Sequence, residues 1–137
     1  AKDVDTALPF AERNSSDVAK DDLAREMLYL QRTIINDFPV NAVCFSPDDA
    51  YVYSGDNHAQ VKQWRVEDGK LLQCVKLEGK NIWSLDVSPD GSKLICGLQG
   101  SKTVFLLDTN NLSTTKTWNF NSSVCRFSPD GTKLLHS

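Results

Sequence analysis

Few residues of this sequence are candidates for catalysis or for binding a metal ion. His58 and His136 are its two histidines, and neither has a partner at the helical or strand spacing that metal ligation requires. Asp56 lies two residues before His58, but a polar turn between two strands accounts for that pair without a site. The motifs of serine hydrolases, phosphate-binding loops and zinc proteases are absent. The sequence therefore predicts a protein that is not an enzyme, with no catalytic residue, no metal ligand and no cofactor.

The positions of the acidic residues and of the cysteines also give no indication of a catalytic or metal-binding site. The acidic pairs Asp48-Asp49 and Glu67-Asp68 fall in predicted turns, where solvated carboxylates are common. The four cysteines lie far apart, with no Cys-x-x-Cys pair among Cys44, Cys74, Cys96 and Cys125. This spacing is typical of reduced, partly buried thiols in a cytosolic or nuclear protein.

The overall composition indicates where in the cell the protein resides and which classes of partner it binds. Hydrophobic residues make up 40% of the 137 residues and charged residues 24%, as in a globular chain. The net charge is −3 and no run of Lys or Arg stands out, which argues against direct binding of nucleic acid or an anionic membrane. No apolar run approaches the roughly 20 residues that span a bilayer, and no signal-peptide pattern is visible. We expect an intracellular protein, cytoplasmic or nuclear, with no direct membrane contact.

One four-residue turn sequence occurs three times. The copies are Ser46-Pro47-Asp48-Asp49, Ser88-Pro89-Asp90-Gly91 and Ser128-Pro129-Asp130-Gly131, and they start 42 and 40 residues apart. Proline presets φ at the second position of a turn, and glycine suits the fourth. A period of about 40–45 residues made of short strands is the signature of a propeller blade.

Each repeat contains stretches with strand character. Apolar residues alternate at a period of two before each turn, at Val43 and Phe45, Leu85 and Val87, and Cys125 and Phe127. The later predicted strands are Tyr51–Ser54, Val61–Val66 and Leu71–Leu77 in the first repeat, Lys93–Cys96, Thr103–Asp108 and Thr114–Phe120 in the second, and Lys133–His136 in the third. Four antiparallel strands per repeat make one blade.

Residues 1–38 have a different pattern. Apolar side chains at offsets of 4, 3 and 4 share one helical face, formed by Leu23, Met27, Leu30 and Ile34. Pro39 pushes the residue before it out of the α region. The spacing predicts an amphipathic helix near residues 20–36, after a polar segment. Its apolar face would pack on the propeller, bridge to another domain, or dock on a partner or on its own copy.

Residues 39–137 resemble the WD-repeat family. Blade one carries the best match, in Val43–Asp48, Ser54-Gly55 and Val61–Trp64. The sequence departs from the family where Arg65 replaces the preferred aspartate and where His58 occupies the usual position of the turn aspartate. No Gly-His pair opens either blade. The resemblance therefore implies that the family's His–Ser–Trp–Asp hydrogen-bond network is incomplete here.

The resemblance implies a mainly β fold of antiparallel four-stranded propeller blades, an incomplete WD-repeat-like β-propeller preceded by one amphipathic helix. The predicted organisation is an N-terminal segment over 1–38, blade one over 39–78, blade two over 79–120 and the start of a third blade over 121–137. Blades bury their faces against each other, and 4–8 of them typically close a ring. A fragment of a longer protein is the favoured explanation, with self-association to complete the propeller or cover within a large complex as alternatives.

The resemblance also implies protein partners on the narrower rim of the disc. In this family the contacts lie where each innermost strand begins and in the loop between the second and third strands. The corresponding positions are Asn41, Asn81, Trp83 and Ser123 at the strands, and Asn57, His58, Gln99 and Gly100 in the loops. Trp83 is the most informative of them, because aromatic anchors are enriched among interface hot spots. Packing between blades is the alternative role for Trp83, and Trp64 and Trp118 are predicted to be core residues.

The most plausible function from sequence is a non-enzymatic scaffold that presents rim residues for protein–protein interaction within a larger protein or complex. Asp21–Met27 also resembles a helix in nucleolar assembly factors of the large ribosomal subunit, so a ribonucleoprotein component that contacts nucleic acid only through its complex is the alternative. A ligand-binding or enzymatic propeller is a third possibility. Blade two alone is also similar to the propeller repeats of bacterial surface proteins.

Overall fold

Antiparallel β-strands make up the part of the chain that the structure, a computed structural model, describes, residues 34–137. Blade one contains β1 (Val40–Phe45), β2 (Tyr51–Asp56), β3 (Gln60–Arg65) and β4 (Leu71–Lys76). Blade two contains β5 (Ile82–Val87), β6 (Lys93–Leu98), β7 (Thr103–Asp108) and β8 (Thr114–Asn119). A third hairpin contains β9 (Cys125–Phe127) and β10 (Leu134–His136). The strands of each blade pair in sequence order, so the prediction of antiparallel four-stranded sheets is confirmed.

The three repeated turns join the first and second strands of their sheets by one common set of hydrogen bonds. In the second turn the Ser88 hydroxyl donates to Asp90 Oδ1 over 2.7 Å and accepts from the backbone of Lys93. Asp90 Oδ1 also accepts from the backbone N–H of Ser92. The first and third turns repeat the serine-to-aspartate bond at 2.6 and 2.7 Å. This local bonding explains why a four-residue sequence is enough to start a hairpin.

Two apolar cores fill the spaces between neighbouring sheets. The larger core lies between the two blades and includes Tyr53, Val61, Ile82, Leu85, Leu94, Leu98 and Leu107. The smaller core joins blade two to the third hairpin through Ile95, Val104 and Cys125. In β1, the alternate residues Ala42 and Cys44 pack against the larger core. Burial of both faces of blade two makes it the most completely enclosed sheet of the described residues.

A glycine in the second strand of each blade lets the next sheet approach closely. A Cβ built on Gly55 would overlap the Cγ2 of Ile82, the first residue of β5. Gly97 has the same place in blade two, where the carbonyl oxygen of Ser123 would lie 2.6 Å from an added Cβ. Because each glycine has no side chain, the next repeat can pack closely against the backbone at that position.

Polar side chains join β5 to β9 across the second inter-blade contact. Ser84 Oγ accepts from the backbone N–H of Cys125 over 3.1 Å, and Asp86 Oδ2 accepts from that of Phe127 over 2.7 Å. The side chains of blade two thus accept hydrogen bonds from two backbone N–H groups of the third hairpin. At the first inter-blade contact the equivalent positions are Ala42 and Cys44, which pack only as small apolar groups.

The predicted helix near residues 20–36 is not supported. Its positions Leu23, Met27 and Leu30 lie outside the described residues. Residues 34–36, which the prediction included, are not helical: they belong to no helix or strand, and Ile34 is half-buried. Pro39 disfavours a helical conformation at the residue before it, and Val40 already pairs with Asp56 in a strand. The helical pattern therefore does not continue to residue 36. Over residues 34–137 the structure contains no helix that is long and apolar enough to cross a membrane.

Candidate functional site

The loops of both blades gather at the end of the strands opposite to the Ser-Pro-Asp turns. In blade one the N–H of Asn57 donates to the carbonyl of Pro39 over 3.1 Å. In blade two the N–H of Gln99 donates to the carbonyl of Asn81 over 2.9 Å. Each loop between the second and third strands is thus bonded to the segment that leads into the first strand. We call this end of the two blades the loop face.

A bulge at the start of each innermost strand determines how Trp83 and Asn41 are presented. The β5–β6 register shifts between Ile82 and Ser84, and the β1–β2 register shifts between Val40 and Ala42. Both bulges leave one residue unpaired, and such residues are often re-aimed towards a functional surface. Ile82 and Ser84 are buried, whereas 46% of the Trp83 side chain is exposed. Asn41 is exposed at the equivalent place in blade one.

The loop after β2 is organised by one carboxylate. Asp56 is almost fully buried, and its Oδ1 accepts from the backbone N–H groups of His58 and Gln60. Ala59 has a φ of 61°, so the chain turns through the left-handed region that aspartate-bonded turns tolerate. Asp56 and His58 therefore belong to one turn, in which the Asp56 carboxylate accepts hydrogen bonds from the backbone N–H groups of His58 and Gln60.

The imidazole of His58 is held in place on the loop face. Its ring stacks on Phe38 with the centroids 3.8 Å apart, and its Nδ1 lies 2.7 Å from Oδ1 of Asn57. In blade two, Asn81 Nδ2 donates to Gln99 Oε1 over 2.9 Å. Four of the side chains predicted to meet a partner are thus arranged in two pairs, Asn57 with His58 and Asn81 with Gln99. Ser123 is half-buried, with its carbonyl against Gly97.

A buried lysine in β3 anchors the segment that precedes β1. Lys62 is 4% exposed, and its Nζ donates to Asn36 Oδ1 over 2.7 Å and lies 3.7 Å from Asp37. Asn36 in turn donates from Nδ2 to Asp56 Oδ2 over 3.2 Å. Sequence reasoning missed this network, because its members are 20 and 26 residues apart and no local motif links them.

The opposite end of the blades carries a polar cleft of about 370 Å³. Its walls include the turn residues Asp48 and Asp90, and Tyr53 lies among its lining residues. Burial raises the pKa of Tyr53, whose hydroxyl accepts from Gln63 Nε2 over 3.0 Å. Among residues 34–137, no group of three or more His, Cys, Asp or Glu could hold a metal ion. The described side chains of the loop face offer an exposed indole, an imidazole and amide groups, which can stack and hydrogen-bond with a partner.

Two stretches of the sequence match the profile of the family described as "WD domain, G-beta repeat", over residues 30–65 and 69–108. The chain belongs to the WD40-repeat family. The nuclear distribution protein PAC1 of Gibberella zeae is 32% identical over 112 residues, which cover 78% of this chain and 23% of that protein. Eukaryotic translation initiation factor 3 subunit I of Pyricularia oryzae is 30% identical over 95 residues, covering 68% of this chain and 28% of that protein. The chain thus spans about a quarter of the length of these curated relatives.

Solved WD40 structures have the same fold. The β-propeller domain of Cps50 (Swd1) from Myceliophteria thermophila superposes with a TM-score of 0.65 at 23% identity, covering 71% of this chain and 30% of that one. The WD40 repeats of RRP9 superpose with a TM-score of 0.67 at 18% identity, covering 74% and 33%. At these identities the likeness concerns the fold alone. The described sheets form part of a WD40 propeller.

The WD40 hydrogen-bond network survives in modified form in blade one. Trp64 Nε1 donates to Ser54 Oγ over 2.9 Å, so the Trp–Ser bond is present. His58 replaces the turn aspartate, as the sequence indicated, but Asp56 supplies a carboxylate two residues earlier. Trp64 is 8% exposed, in agreement with the prediction of a core residue. Trp118 is only half-buried, with Lys116 Nζ 5.0 Å from the centroid of its ring, because β8 is the outermost strand of blade two.

Proposed function

We propose that this chain is part of a non-enzymatic WD40 scaffold that binds a protein partner on its loop face, with Trp83 as the main anchor. The observation that carries the proposal is the bulge in β5, which leaves Trp83 46% exposed between two buried neighbours. A half-exposed indole offers a large apolar contact area, and its N–H can bond to a partner. Tryptophan is also among the residues enriched at interface hot spots.

Polar side chains on the loop face support this role for Trp83. Asn81 and Gln99 lie at the same end of blade two, and Asn57 and His58 lie on the loop of blade one. An apolar anchor with polar neighbours matches the core and rim of ordinary protein interfaces. The ordered side-chain pairs also reduce the conformational entropy that binding would otherwise remove. Asn41 extends the polar surface on blade one.

Membership of a ribonucleoprotein or translation complex is the second candidate. Its support is the 30% identity to a subunit of eukaryotic translation initiation factor 3. The net charge of −3 provides little attraction for a phosphate backbone, so contact with RNA would be made through other subunits. We also propose an intracellular location, cytoplasmic or nuclear, because the relatives include a nuclear distribution protein and a subunit of a translation initiation factor.

Selected peptides test the proposal. Peptides that bind the immobilised chain would be isolated by phage display, and their Kd would be measured by calorimetry for the wild type and for Trp83→Ala. We expect binding to weaken by about 30-fold or more, the loss typical of a hot spot. Leu71→Ala is the matched control, because Leu71 is 42% exposed on an outer strand and should bind as the wild type.

Salt dependence distinguishes binding of a protein partner from direct binding of RNA, a contact that neither candidate requires. Peptide binding on the loop face should change little between about 50 and 200 mM salt. Direct binding of labelled single-stranded RNA, in contrast, would fall by about 10³-fold or more over that range. Equal affinity of Trp83→Ala and the wild type for every selected peptide would exclude Trp83 as the anchor. Tight, salt-sensitive RNA binding would favour a direct role in a ribonucleoprotein.

A further inference from the structure

We propose that the polar cleft at the Ser-Pro-Asp end of the blades is a second binding site, which takes the guanidinium group of an arginine side chain from a partner peptide. Blade one contributes Asp48 to the lining of the cleft, and blade two contributes Asp90. The volume of about 370 Å³ is within the range of sites for small ligands. The site lies at the end opposite to the loop face and does not depend on the partner proposed there.

The two turns that carry these aspartates are in contact. A Cβ added to Gly91 would lie 3.5 Å from the Cδ of Pro47, so the second turn packs on the first. Asp48 Oδ1 accepts the hydrogen bonds that close the first turn, and Asp90 Oδ1 accepts those that close the second. Within the described residues, Oδ2 of each carboxylate therefore remains available to a donor from outside.

A chain of polar side chains in the same lining crosses from one blade to the other. Tyr53 and Gln63 are buried, and Gln63 Nε2 donates to the Tyr53 hydroxyl over 3.0 Å. Gln73 Nε2 donates to Gln63 Oε1 over 2.6 Å and to the carbonyl oxygen of Thr109 in blade two over 3.3 Å. Both bonds that Gln73 makes with these residues leave from Nε2, so its Oε1 is a further acceptor in the cleft.

The polar character of this row is specific to blade one. Tyr53 and Ile95 each stand seven residues after the serine of their turn, so they are equivalent positions. Across three paired strands, the row in blade one is Tyr53, Gln63 and Gln73, and the row in blade two is Ile95, Leu106 and Lys116. Burial of polar groups costs free energy that an apolar core does not lose. The polar row is thus a property of this cleft and not of the repeat, and it favours a polar ligand.

The charges of the cleft favour a cation. Its lining contains no lysine, arginine or histidine. A hydrogen bond from the Ser46 hydroxyl lowers the pKa of Asp48 below its usual value. Hydrogen bonds from the backbone of Ser92 and from nearby hydroxyls lower the pKa of Asp90 to about 2. Both carboxylates are therefore charged at neutral pH, and no basic side chain of the lining neutralises them.

Arginine matches this lining better than lysine does. A guanidinium group has five N–H donors in one plane and no acceptor, whereas an ammonium group has three donors at a single point. A planar donor can bond to carboxylates that belong to two different turns, and it can also stack on an aromatic ring. Tyr51 supplies such a ring in the lining of the cleft.

A titration with N-acetyl-arginine methylamide, followed by NMR of the isotope-labelled full chain, tests the site. We expect saturable shifts of the side-chain amides of Gln63 and Gln73 and of the backbone amide of Gly91. The Kd should be on the order of 1 mM, as for a ligand of this size. The citrulline analogue has nearly the same shape but no charge, and it should bind about 10-fold more weakly or less.

Asparagine substitutions test the carboxylates one at a time. Asp48→Asn and Asp90→Asn keep an oxygen for the turn but remove the charge, and each should weaken binding about 10-fold. Asp130→Asn is the matched control, because Asp130 accepts the same turn bonds in the third repeat and is not part of the cleft lining. Its Kd should equal that of the wild type.

Gln73→Lys is a second variant that does not alter a turn. It places an ammonium group in the lining of the cleft and should abolish the shifts caused by N-acetyl-arginine methylamide. Blade two has Lys116 at the same register, so a lysine is compatible with the blade at this position. Trp83→Ala should leave the Kd unchanged, which distinguishes a failure of this site from a failure of the loop face.

Four results would overturn the proposal. Shifts that do not saturate, or binding that survives both Asp48→Asn and Gln73→Lys, would show that the cleft does not bind the probe. Equal affinity for N-acetyl-lysine methylamide would remove the preference for arginine. Equal affinity for the guanidinium ion alone would assign the cleft to a small cation. Tighter binding of Ca²⁺ at the same residues would assign it to a metal ion.

Discussion

The indole N–H of Trp64 donates a 2.9 Å hydrogen bond to the hydroxyl of Ser54, and both residues are buried within blade one. The bond ties β3 to β2 through side chains, in addition to the ladder between the same strands. It is the part of the WD40 network that this chain retains. Asp56, Asn36 and Lys62 form a separate set of bonds at the loop face.

Ser54→Ala should destabilise the fold, because it leaves the Trp64 N–H buried without this acceptor. We expect the free energy of unfolding in urea to fall by about 1–3 kcal/mol. Ser113→Ala, on an exposed turn, is the control and should change it by less than about 0.5 kcal/mol. In a double-mutant cycle with Trp64→Phe, the two losses should not add, because each removes the same bond. Strict additivity would mean that the bond contributes little.

Gly55→Ala should also destabilise the fold, because the new methyl group would overlap Ile82. Overpacking of this kind costs about 1–3 kcal/mol. Ile82→Ala also destabilises the fold because it empties part of the core, but the two losses together should be smaller than their sum, since Ile82→Ala removes the overlapping Cγ2. Gly100→Ala is the control: its φ of 72° strains an alanine, but no atom lies within 4 Å of the added Cβ. In urea unfolding, the free energy lost through Gly100→Ala should be the same with and without Ile82→Ala.

Stability should decrease at low pH through the turn aspartates. Backbone and side-chain hydrogen bonds from Ser92 and Ser88 lower the pKa of Asp90 from 3.8 to about 2. A lowered folded-state pKa means that the stabilisation is complete above the unfolded pKa and is lost as the pH falls from about 4 through 2. Carboxyl carbon shifts measured by NMR should report this pKa. Ser88→Ala should move it upwards, and Asp90→Asn should flatten the dependence of the urea midpoint on pH. An unchanged carboxyl pKa in Ser88→Ala would contradict the assignment.

A thiol reagent should label Cys74 faster than the other three cysteines. Cys74 is exposed on β4, whereas Cys96 and Cys125 are buried and Cys44 is half-buried. Burial raises the pKa of Cys44 to about 12 and that of Cys96 well above its usual value. Because the thiolate is the reactive form, a disulfide reagent at pH 8 should label one thiol rapidly in the native state and four in urea. Cys74→Ser should abolish the rapid phase, and rapid labelling of a second thiol would show that the inter-blade core opens readily.

Most of the fold could be predicted from local patterns. Strands alternate at a period of two, and the Ser-Pro-Asp turns satisfy their own hydrogen bonds within about five residues, so short windows of sequence are sufficient. The same local reasoning predicted the N-terminal helix, which is absent at residues 34–36. At this place Asn36 bonds to Asp56 and to Lys62, which are tertiary interactions that the local helical pattern does not contain.

The candidate site could be predicted only in outline. The positions of Trp83 and Asn41 followed from the resemblance to the WD-repeat family, and their roles in binding stay predictions. The bulges that present them depend on pairing with β6 and β2, which no single strand reveals. The bonds of Asn36 to Asp56 and to Lys62 likewise join residues that are distant in sequence.

The sequence by itself determined the repeat, the turns and the four-strand order of each blade, because these depend on interactions between near neighbours in the chain. Only the tertiary structure decided which of the equivalent apolar faces is covered. Leu85 and Val43 have the same place in their strands, yet one is buried and the other is 62% exposed. The difference arises because burial depends on the sheet that packs alongside, and no strand carries that information in its own residues.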